Sequence, residues 1–267
     1  MQDNMLKIIT DDRSVQQVQD VIAYCKSIAL DSEFLRYDHF LPPKLALLQL
    51  KTDKIRCVID PLMCDVSGLL EQIFQNNEMV KIFHDGRQDI EVLASMIDFK
   101  DEYFDSIADT QVFELFISYY KSGTPSYKDL VTKYCHKPVN KDLQNSKWLK
   151  RPLTDKQIQY AITDVEYLAD IYNIQLEKLK KLDRYYIAKD HLKSVIYNHV
   201  KKIKHEKIAD FLVDMDEVNK LYRRLHNNCE DKAISPSIVL TKQDIKKIVN
   251  DPDDVHLYED WRLNFIK

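Results

Sequence analysis

Glycine is nearly absent from this sequence, which has three glycines among 267 residues. Loops that surround a phosphate group with backbone N–H groups need several glycines close together, so this scarcity argues against such a nucleotide-binding loop. The sequence also lacks an apolar run of 18 residues, and its first residues show neither the basic nor the apolar segment of a secretory signal. We therefore expect a cytoplasmic protein that does not span a membrane.

Cysteine is scarce as well. The chain has five cysteines, an odd number, and no two of them are spaced Cys-x-x-Cys. This pattern argues against a disulfide framework and against a structural zinc site. The hydrophobic content of 45% and the charged content of 31% are ordinary for a soluble globular protein. At 267 residues the chain is long enough for one large domain or two modest ones.

The formal net charge of -4 does not favour a protein that coats nucleic acid without specificity. Between residues 171 and 210, however, ten basic residues outnumber five acidic ones. This basic segment could bind phosphate groups, or its charges could be the solvated surface of a helix. The sequence leaves both interpretations open.

Short apolar runs predict five strands, at residues 27–34, 45–50, 55–60, 79–83 and 103–107. A short polar turn separates the second run from the third, so we expect the first three strands to form an antiparallel meander. Between and after the later strands, apolar residues recur at helical spacing. Strands that alternate with helices after an antiparallel start predict an α/β protein with a mixed five-stranded sheet flanked by helices. Beyond residue 183 only helical patterns remain.

The best-marked helix start lies at Thr154. Thr154 is followed three residues later by Gln157, which matches a capping box, where each side chain bonds the backbone N–H of the other residue. Tyr160 and Asp164 follow in the same helix, four residues apart. They lie on one helical face and can reach a single site.

Asp31 and Glu33 follow directly on an apolar strand, and residues two apart in a strand point to the same face. Two carboxylates this close resist ionisation unless a cation or a shared proton compensates. A metal site is therefore one interpretation, and a solvated pair on an edge strand is the other. The spacing alone is weak evidence, because the chain has five acid-x-acid pairs where chance predicts about seven.

Further motifs resemble the DEDD superfamily of 3'-5' exonucleases, in the subtype whose third motif is Tyr-x-x-x-Asp, and most closely the ribonuclease D family. The most specific segment is Trp-Leu-Lys-Arg-Pro-Leu-Thr at residues 148–154, which precedes Tyr160-Ala-Ile-Thr-Asp164. The other matching segments occur in the family's order, at residues 30–34, 83–91, 105–111 and 126–131.

This resemblance implies that four carboxylates bind metal: Asp31, Glu33, Asp89 and Asp164. It also implies that Tyr160 positions the attacking water. Asp85 is an alternative to Asp89 for the second motif, but the spacing after His84 favours Asp89. Two divalent cations, Mg²⁺ or Mn²⁺, are the implied cofactors, because ligands that are all oxygen suit hard cations better than zinc.

The fold that the resemblance implies is a ribonuclease H-like exonuclease domain over residues 1–183, followed by a small all-α domain over residues 184–267. Residues 234–241 and the Trp261-Arg262 pair make this second domain similar to the HRDC region that follows the nuclease in the family. Within the first domain, Trp148 and Arg151 could stack on and bind RNA, although we favour a core anchor for Trp148.

The implied activity is that of a metal-dependent 3'-5' exoribonuclease. It would release 5'-mononucleotides by a two-metal mechanism, with tRNA precursors as the expected partners and with a monomer favoured. Two alternatives stay open at this point. The first is a DNA-directed exonuclease of the proofreading type, and the second is a noncatalytic RNA-binding adaptor on a decayed nuclease fold.

Overall fold

The computed structural model describes residues 7–36, 43–118, 123–139, 143 and 146–211, with the backbone alone at 7, 198 and 201–211, and isolated positions between 220 and 248. Contacts divide the chain into two compact units, Met1–Val200 and Lys201–Lys267. The domain border predicted after residue 183 and the HRDC-like second domain stay predictions. Most of the motif positions on which the second domain rests, including Trp261 and Arg262, lie outside the described residues.

Within the described residues, six strands of the first unit form one mixed sheet in the order β1-β4-β3-β2-β5-β6. The strands are β1 (Lys7–Ile9), β2 (Ser27–Leu35), β3 (Lys44–Lys51), β4 (Arg56–Ile59), β5 (Val80–Phe83) and β6 (Ile107–Asp109). The meander β2-β3-β4 is antiparallel, whereas β1, β5 and β6 each run parallel to their neighbours. The predicted mixed α/β sheet is thus confirmed.

The predicted number of five strands is wrong by one. The additional strand, β1, has three residues and pairs with β4; a run this short shows no alternation of apolar and polar residues that could identify it. The strand predicted at 103–107 is also displaced. A 3-10 helix spans Asp101–Ser106, and β6 begins only at Ile107. Tyr103 and Phe104 are both buried in the core. They belong to this 3-10 helix and not to a strand.

The described helices are α1 (Asp12–Ile22), α2 (Ser67–Gln75), α3 (Arg87–Ala94), α4 (Thr110–Ser118), α5 (Tyr127–Cys135), α6 (Asp155–Glu166), α7 (Leu168–Lys181) and α8 (Tyr185–Phe211). They flank the sheet as predicted. α6 contacts β2, β3 and β4, and α7 contacts β2, β5, α4 and α5. None of the helices in the described ranges is long and apolar enough to cross a membrane.

β2 lies in the middle of the sheet and leads from the core to the candidate site. Its residues Ile28, Ala29 and Leu30 are fully buried between β3 and β5. The pairing of β2 with β3 shifts between Glu33 and Phe34, which is a β-bulge. Bulges are frequent beside active sites because they redirect side chains.

Candidate active site

Elements that lie far apart in the sequence bring the candidate residues into one cavity. Asp31 and Glu33 lie on β2, Asp89 lies on α3, and Tyr160 and Asp164 lie on α6. All five side chains line a cavity of about 340 Å³. The structure therefore places every residue of the predicted site within one cleft.

Three of the four carboxylates form a close group. Asp31, Glu33 and Asp164 each offer one carboxylate oxygen, and these oxygens lie within 4.8 Å of one another. A set of oxygen ligands at this spacing has the chemistry that Mg²⁺, Mn²⁺ and Ca²⁺ prefer. It is not a zinc site of the structural type, since no cysteine or histidine takes part.

Asp89 lies beside this group and is held by the serine between the two acids of β2. Its Oδ1 accepts hydrogen bonds from the backbone N–H of Ser32 at 3.1 Å and from the Ser32 hydroxyl at 2.6 Å. These bonds tie α3 to the strand that carries Asp31 and Glu33. The role of Ser32 was not predicted, because a serine within a strand gives no signal of a partner 57 residues away.

The carboxyl groups raise one another's pKa values. Burial raises the pKa of Asp31 well above its ordinary value, and the charges of Asp89, Asp164 and Glu33 raise it further. Burial, with Asp164 and Asp89, also raises the pKa of Glu33 to about 9. Burial raises the pKa of Asp89 to about 6 although the Ser32 hydroxyl opposes it. Carboxylates in such a site need a cation to stay ionised at neutral pH.

Tyr160 lies on the same face of α6 as Asp164. Burial raises the pKa of the Tyr160 hydroxyl, and the Asp164, Glu33 and Asp31 charges and a hydrogen bond to Asp164 add to this effect. The phenol therefore stays protonated at neutral pH and acts as a hydrogen-bond donor. Trp148 is buried, with its ring centroid 5.9 Å from that of Tyr160, which agrees with the core anchor favoured from the sequence.

The position of α3 depends on the turn that precedes it. Asp85 in this turn has a φ of 54°, and the buried carboxylate of Asp109 accepts hydrogen bonds from the N–H groups of Asp85 and Gly86 at 3.2 and 2.8 Å. A Cβ atom at Gly86 would lie 2.4 Å from the Cβ of Phe83, so the turn requires glycine. Asp85, the alternative for the second motif, also lines the cavity.

Asp109 lies in the matching segment at residues 105–111, and no role was predicted for it. The same Oδ1 that bonds Asp85 also accepts from the N–H groups of Gln111 and Val112, at 2.8 and 3.2 Å, in the first turn of α4. An aspartate between a short strand and a helix is a signal of helix capping that could have identified this function.

α6 is fixed at both ends. Its N-terminus has the predicted capping box of Thr154 and Gln157. At its C-terminus the carboxylate of Glu166 pairs with Lys51 at 3.1 Å and with Arg56 at 2.9 Å, so α6 is bound to β3 and β4. These contacts hold Asp164 over the sheet.

Arg151 binds groups within the protein, and the interpretation that it binds RNA stays a prediction. Its guanidinium donates to both oxygens of the buried Asp60, at 2.5 and 2.7 Å, and to the carbonyl of Ala46 at 2.9 Å. Ala46 is the residue of β3 that the bulge beside Glu33 leaves without a partner in the register. Arg151 thus supports the backbone next to the acidic group.

Several residues of the basic segment, residues 171–210, also contact other residues of the protein. Lys178 lies 4.4 Å from the ring centroid of Tyr134, Arg184 and Lys189 donate to backbone carbonyls, and Lys193 pairs with Asp105. Lys180 and Lys181 are exposed, and the side chains of residues 201–211 lie outside the description. Much of the described basic excess therefore attaches α7 and α8 to their neighbours.

A family model described as a 3'-5' exonuclease matches residues 6–180. Over 179 residues the chain is 32% identical to ribonuclease D of Sphingobium indicum, a match that covers 66% of this chain and 45% of that protein. The chain spans less than half the length of the curated relatives that it matches first.

Two solved structures show the same fold. The ribonuclease D of Escherichia coli, described as an exoribonuclease involved in structured RNA processing, superposes with a TM-score of 0.72 at 21% identity, over 98% of this chain and 72% of that chain. The Brucella melitensis protein NrnC with bound Mg²⁺ superposes with a TM-score of 0.57 at 17% identity, over 79% of this chain and 97% of that chain.

Proposed function

Because the chain belongs to the 3'-5' exonuclease family, as the match of residues 6–180 shows, we propose that it is a metal-dependent 3'-5' exoribonuclease of the ribonuclease D type. The observation that carries the proposal is the group of Asp31, Glu33 and Asp164, whose oxygens lie within 4.8 Å of one another. RNA is the proposed substrate because the curated relatives are ribonucleases.

The proposed cofactors are two divalent cations, Mg²⁺ or Mn²⁺, held by Asp31, Glu33, Asp164 and the adjacent Asp89. The donor set fits them, since burial and the neighbouring carboxylates raise the pKa values of Asp31 and Glu33, and a bound cation would favour their ionised forms. When bound, such cations lower the pKa of a water molecule and stabilise the departing 3'-oxygen. The fold neighbour with bound Mg²⁺ supports this proposal.

The chain's own side chains orient the reactants. The hydroxyl of Tyr160 donates its proton to Asp164, and its oxygen can accept a hydrogen bond from the attacking water. The cavity volume of about 340 Å³ falls in the range of small-ligand pockets, roughly 300–1,000 Å³. It can therefore admit the terminal nucleotide of a 3' end, and removal of single 5'-mononucleotides is the expected reaction.

We extend the proposal to the trimming of 3'-extended tRNA precursors by a cytoplasmic monomer. The purified protein is expected to shorten such an RNA in Mg²⁺ or Mn²⁺, and EDTA is expected to stop the reaction. Asp164→Asn is expected to lower turnover about a thousandfold or more, because the lost ligand contributes several kcal/mol, while RNA binding persists.

Asp170→Asn is the matched control, since Asp170 is exposed on the following helix, α7; its activity is expected to equal that of the wild type. Full activity in Asp164→Asn would contradict the mechanism. Binding of RNA without turnover in the wild type would instead favour the noncatalytic adaptor. Assays on matched RNA and DNA 3' ends separate the exoribonuclease from the DNA-directed alternative, because only the 2'-hydroxyl differs.

A further inference from the structure

The helix that carries Asp164 is interrupted just beyond this residue. α6 ends at Glu166, Tyr167 has a φ of -112° and a ψ of 1°, and α7 begins at Leu168. The interruption separates two packing environments, since α6 contacts β2, β3 and β4 whereas α7 contacts β2, β5, α4 and α5. The direction of α6 relative to α7 therefore decides where Asp164 lies above the sheet.

A tyrosine from another helix occupies this interruption. The hydroxyl of Tyr127 donates to the carbonyl of Thr163 at 2.9 Å and accepts from the backbone N–H of Tyr167 at 3.1 Å. Thr163 and Tyr167 are four residues apart, so in a continuous helix this carbonyl and this N–H would bond each other. A side chain inserted between such a pair is a recognised cause of a helix kink.

Tyr127 is held firmly enough to impose this geometry. It is the first residue of α5, between the capping-box residues Ser126 and Asp129, and it is 5% exposed. Its ring centroid lies 5.8 Å from that of His84, and the side chain lines the candidate active site. The phenol thus connects a rigid helix start to the backbone on either side of Asp164.

We propose that Tyr127 is a positioning residue, whose hydroxyl bends the helix after Asp164 and so brings Asp164 to the acids of β2. The hydroxyl donates one hydrogen bond and accepts another, and both partners are backbone groups. The residue therefore acts through Asp164 and not on the substrate. The proposal rests on the proposed function, because it takes the acidic group as the metal site.

Tyr127→Phe tests the proposal with little disturbance elsewhere. Without the hydroxyl, the Thr163 carbonyl and the Tyr167 N–H can bond each other, so neither group is left unsatisfied. We expect the melting temperature of the metal-free protein to change by no more than about 2 °C, since no buried polar group loses its partner. The affinity of the acidic group for metal ions, however, is expected to fall.

The measurement is Mn²⁺ binding to the full chain, followed by the electron paramagnetic resonance signal of free Mn²⁺. Tyr127→Phe is expected to need about tenfold more Mn²⁺ for half-saturation, the size of effect seen when residues behind metal ligands are changed. The Mn²⁺ concentration for half-maximal exonuclease activity is expected to rise by the same factor.

Tyr134→Phe is the matched control on the same helix. The Tyr134 hydroxyl donates to Glu114 at 2.6 Å, away from the acidic group. Losing a hydrogen bond to a charged side chain is expected to lower the melting temperature by about 4 °C or more, while Mn²⁺ half-saturation stays within about twofold of the wild type. The two variants thus separate effects on stability from effects on the metal site.

Unchanged Mn²⁺ binding in Tyr127→Phe would overturn the proposal, and so would equal weakening in both variants. If Tyr127→Phe does not fold, replacement of Tyr127 by 4-aminophenylalanine keeps a donor to Thr163, and wild-type Mn²⁺ binding in this variant is expected; weakened binding in a folded protein would contradict the proposal. Failure of the wild type itself to bind Mn²⁺ would refute the proposed function, which is a distinguishable result.

Discussion

Buried and half-buried acids occupy two kinds of site in this protein, and the difference lies in what neutralises their charge. In the first kind a basic side chain of the protein is the partner, as in the pairs Asp60–Arg151, Glu91–Arg36 and Glu114–Lys133. In the second kind, Asp31 and Glu33 line the cavity and take part in none of the ion pairs found in the described part of the chain.

Glu91 on α3 and Glu33 on β2 show how the presence or absence of a basic partner changes the pKa of an acid. Burial acts to raise the pKa of Glu91, but hydrogen bonds from His199 and Arg36 outweigh burial and lower this pKa to about 2. Burial and the charges of Asp164 and Asp89 raise the pKa of Glu33 to about 9. Acids that the protein neutralises stabilise the fold, whereas acids left without a basic partner are available for external cations.

The largest expected effect is that of Asp31→Asn. This change removes a proposed metal ligand, so we expect exonuclease turnover to fall about a thousandfold or more. Because the pKa of Asp31 is raised in the folded protein, this acid lowers the stability of the metal-free protein at neutral pH, so the metal-free variant is expected to melt at a higher temperature than the wild type. Exonuclease assays check the first point. Thermal melts with and without Mn²⁺ check the second, and Mn²⁺ is expected to stabilise only the wild type.

A lower melting temperature in metal-free Asp31→Asn would contradict the distinction between the two kinds of acid, because it would mean that Asp31 stabilises the fold as the paired acids do. The matched control is Asp155→Asn on α6, where the aspartate is exposed in the first turn. Its turnover and its response to Mn²⁺ are expected to match those of the wild type.

The opposite result is expected for Asp60→Asn. Asp60 is 2% exposed and accepts two hydrogen bonds from Arg151, so its loss leaves a largely buried guanidinium without its counter-charge. We expect a destabilisation of about 3 kcal/mol, measured by urea unfolding. Mn²⁺ binding by the folded protein is expected to persist. An unfolding free energy equal to that of the wild type would mean that Asp60 does not stabilise the fold and belongs with Asp31 and Glu33.

Local patterns were sufficient to predict most of the sheet and the members of the site. β2 to β5 were predicted because each has an apolar run bounded by polar residues, and α6 because Thr154 and Gln157 signal a capping box. The motifs then placed Asp31, Asp89 and Asp164 in one set, which the cavity brings together.

What the sequence did not predict depends on contacts between distant residues. β1 has only three residues and is stabilised by its pairing with β4. The hydrogen bonds that hold Asp89 beside the close group come from Ser32, and the partner of Arg151 is a residue 91 positions away. No local pattern encodes such partners, so the contact of Arg151 with Asp60 could not be predicted from the sequence.

The smallest expected effect concerns pH and the paired acid Glu91. Because the pKa of Glu91 is about 2 in the folded protein and near 4.5 in the unfolded chain, its stabilisation is fully present above pH 4.5. It is lost as the pH falls from 4.5 towards 2. We expect it to amount to on the order of 2 kcal/mol, after allowance for Arg36, which keeps some exposure to solvent.

Unfolding free energies of the wild type and Glu91→Gln, measured by urea at pH 7 and pH 3, test this expectation. The variant is expected to be less stable at pH 7, and the gap is expected to narrow at pH 3, because Glu91 is then protonated in the unfolded chain, which lowers the free energy of the unfolded wild type relative to the folded one. Glu78→Gln is the control, since Glu78 is 87% exposed in its pair with Lys26. A gap that stays constant between the two pH values would show that packing, and not charge, accounts for the role of Glu91, and the contrast with Glu33 would then fail.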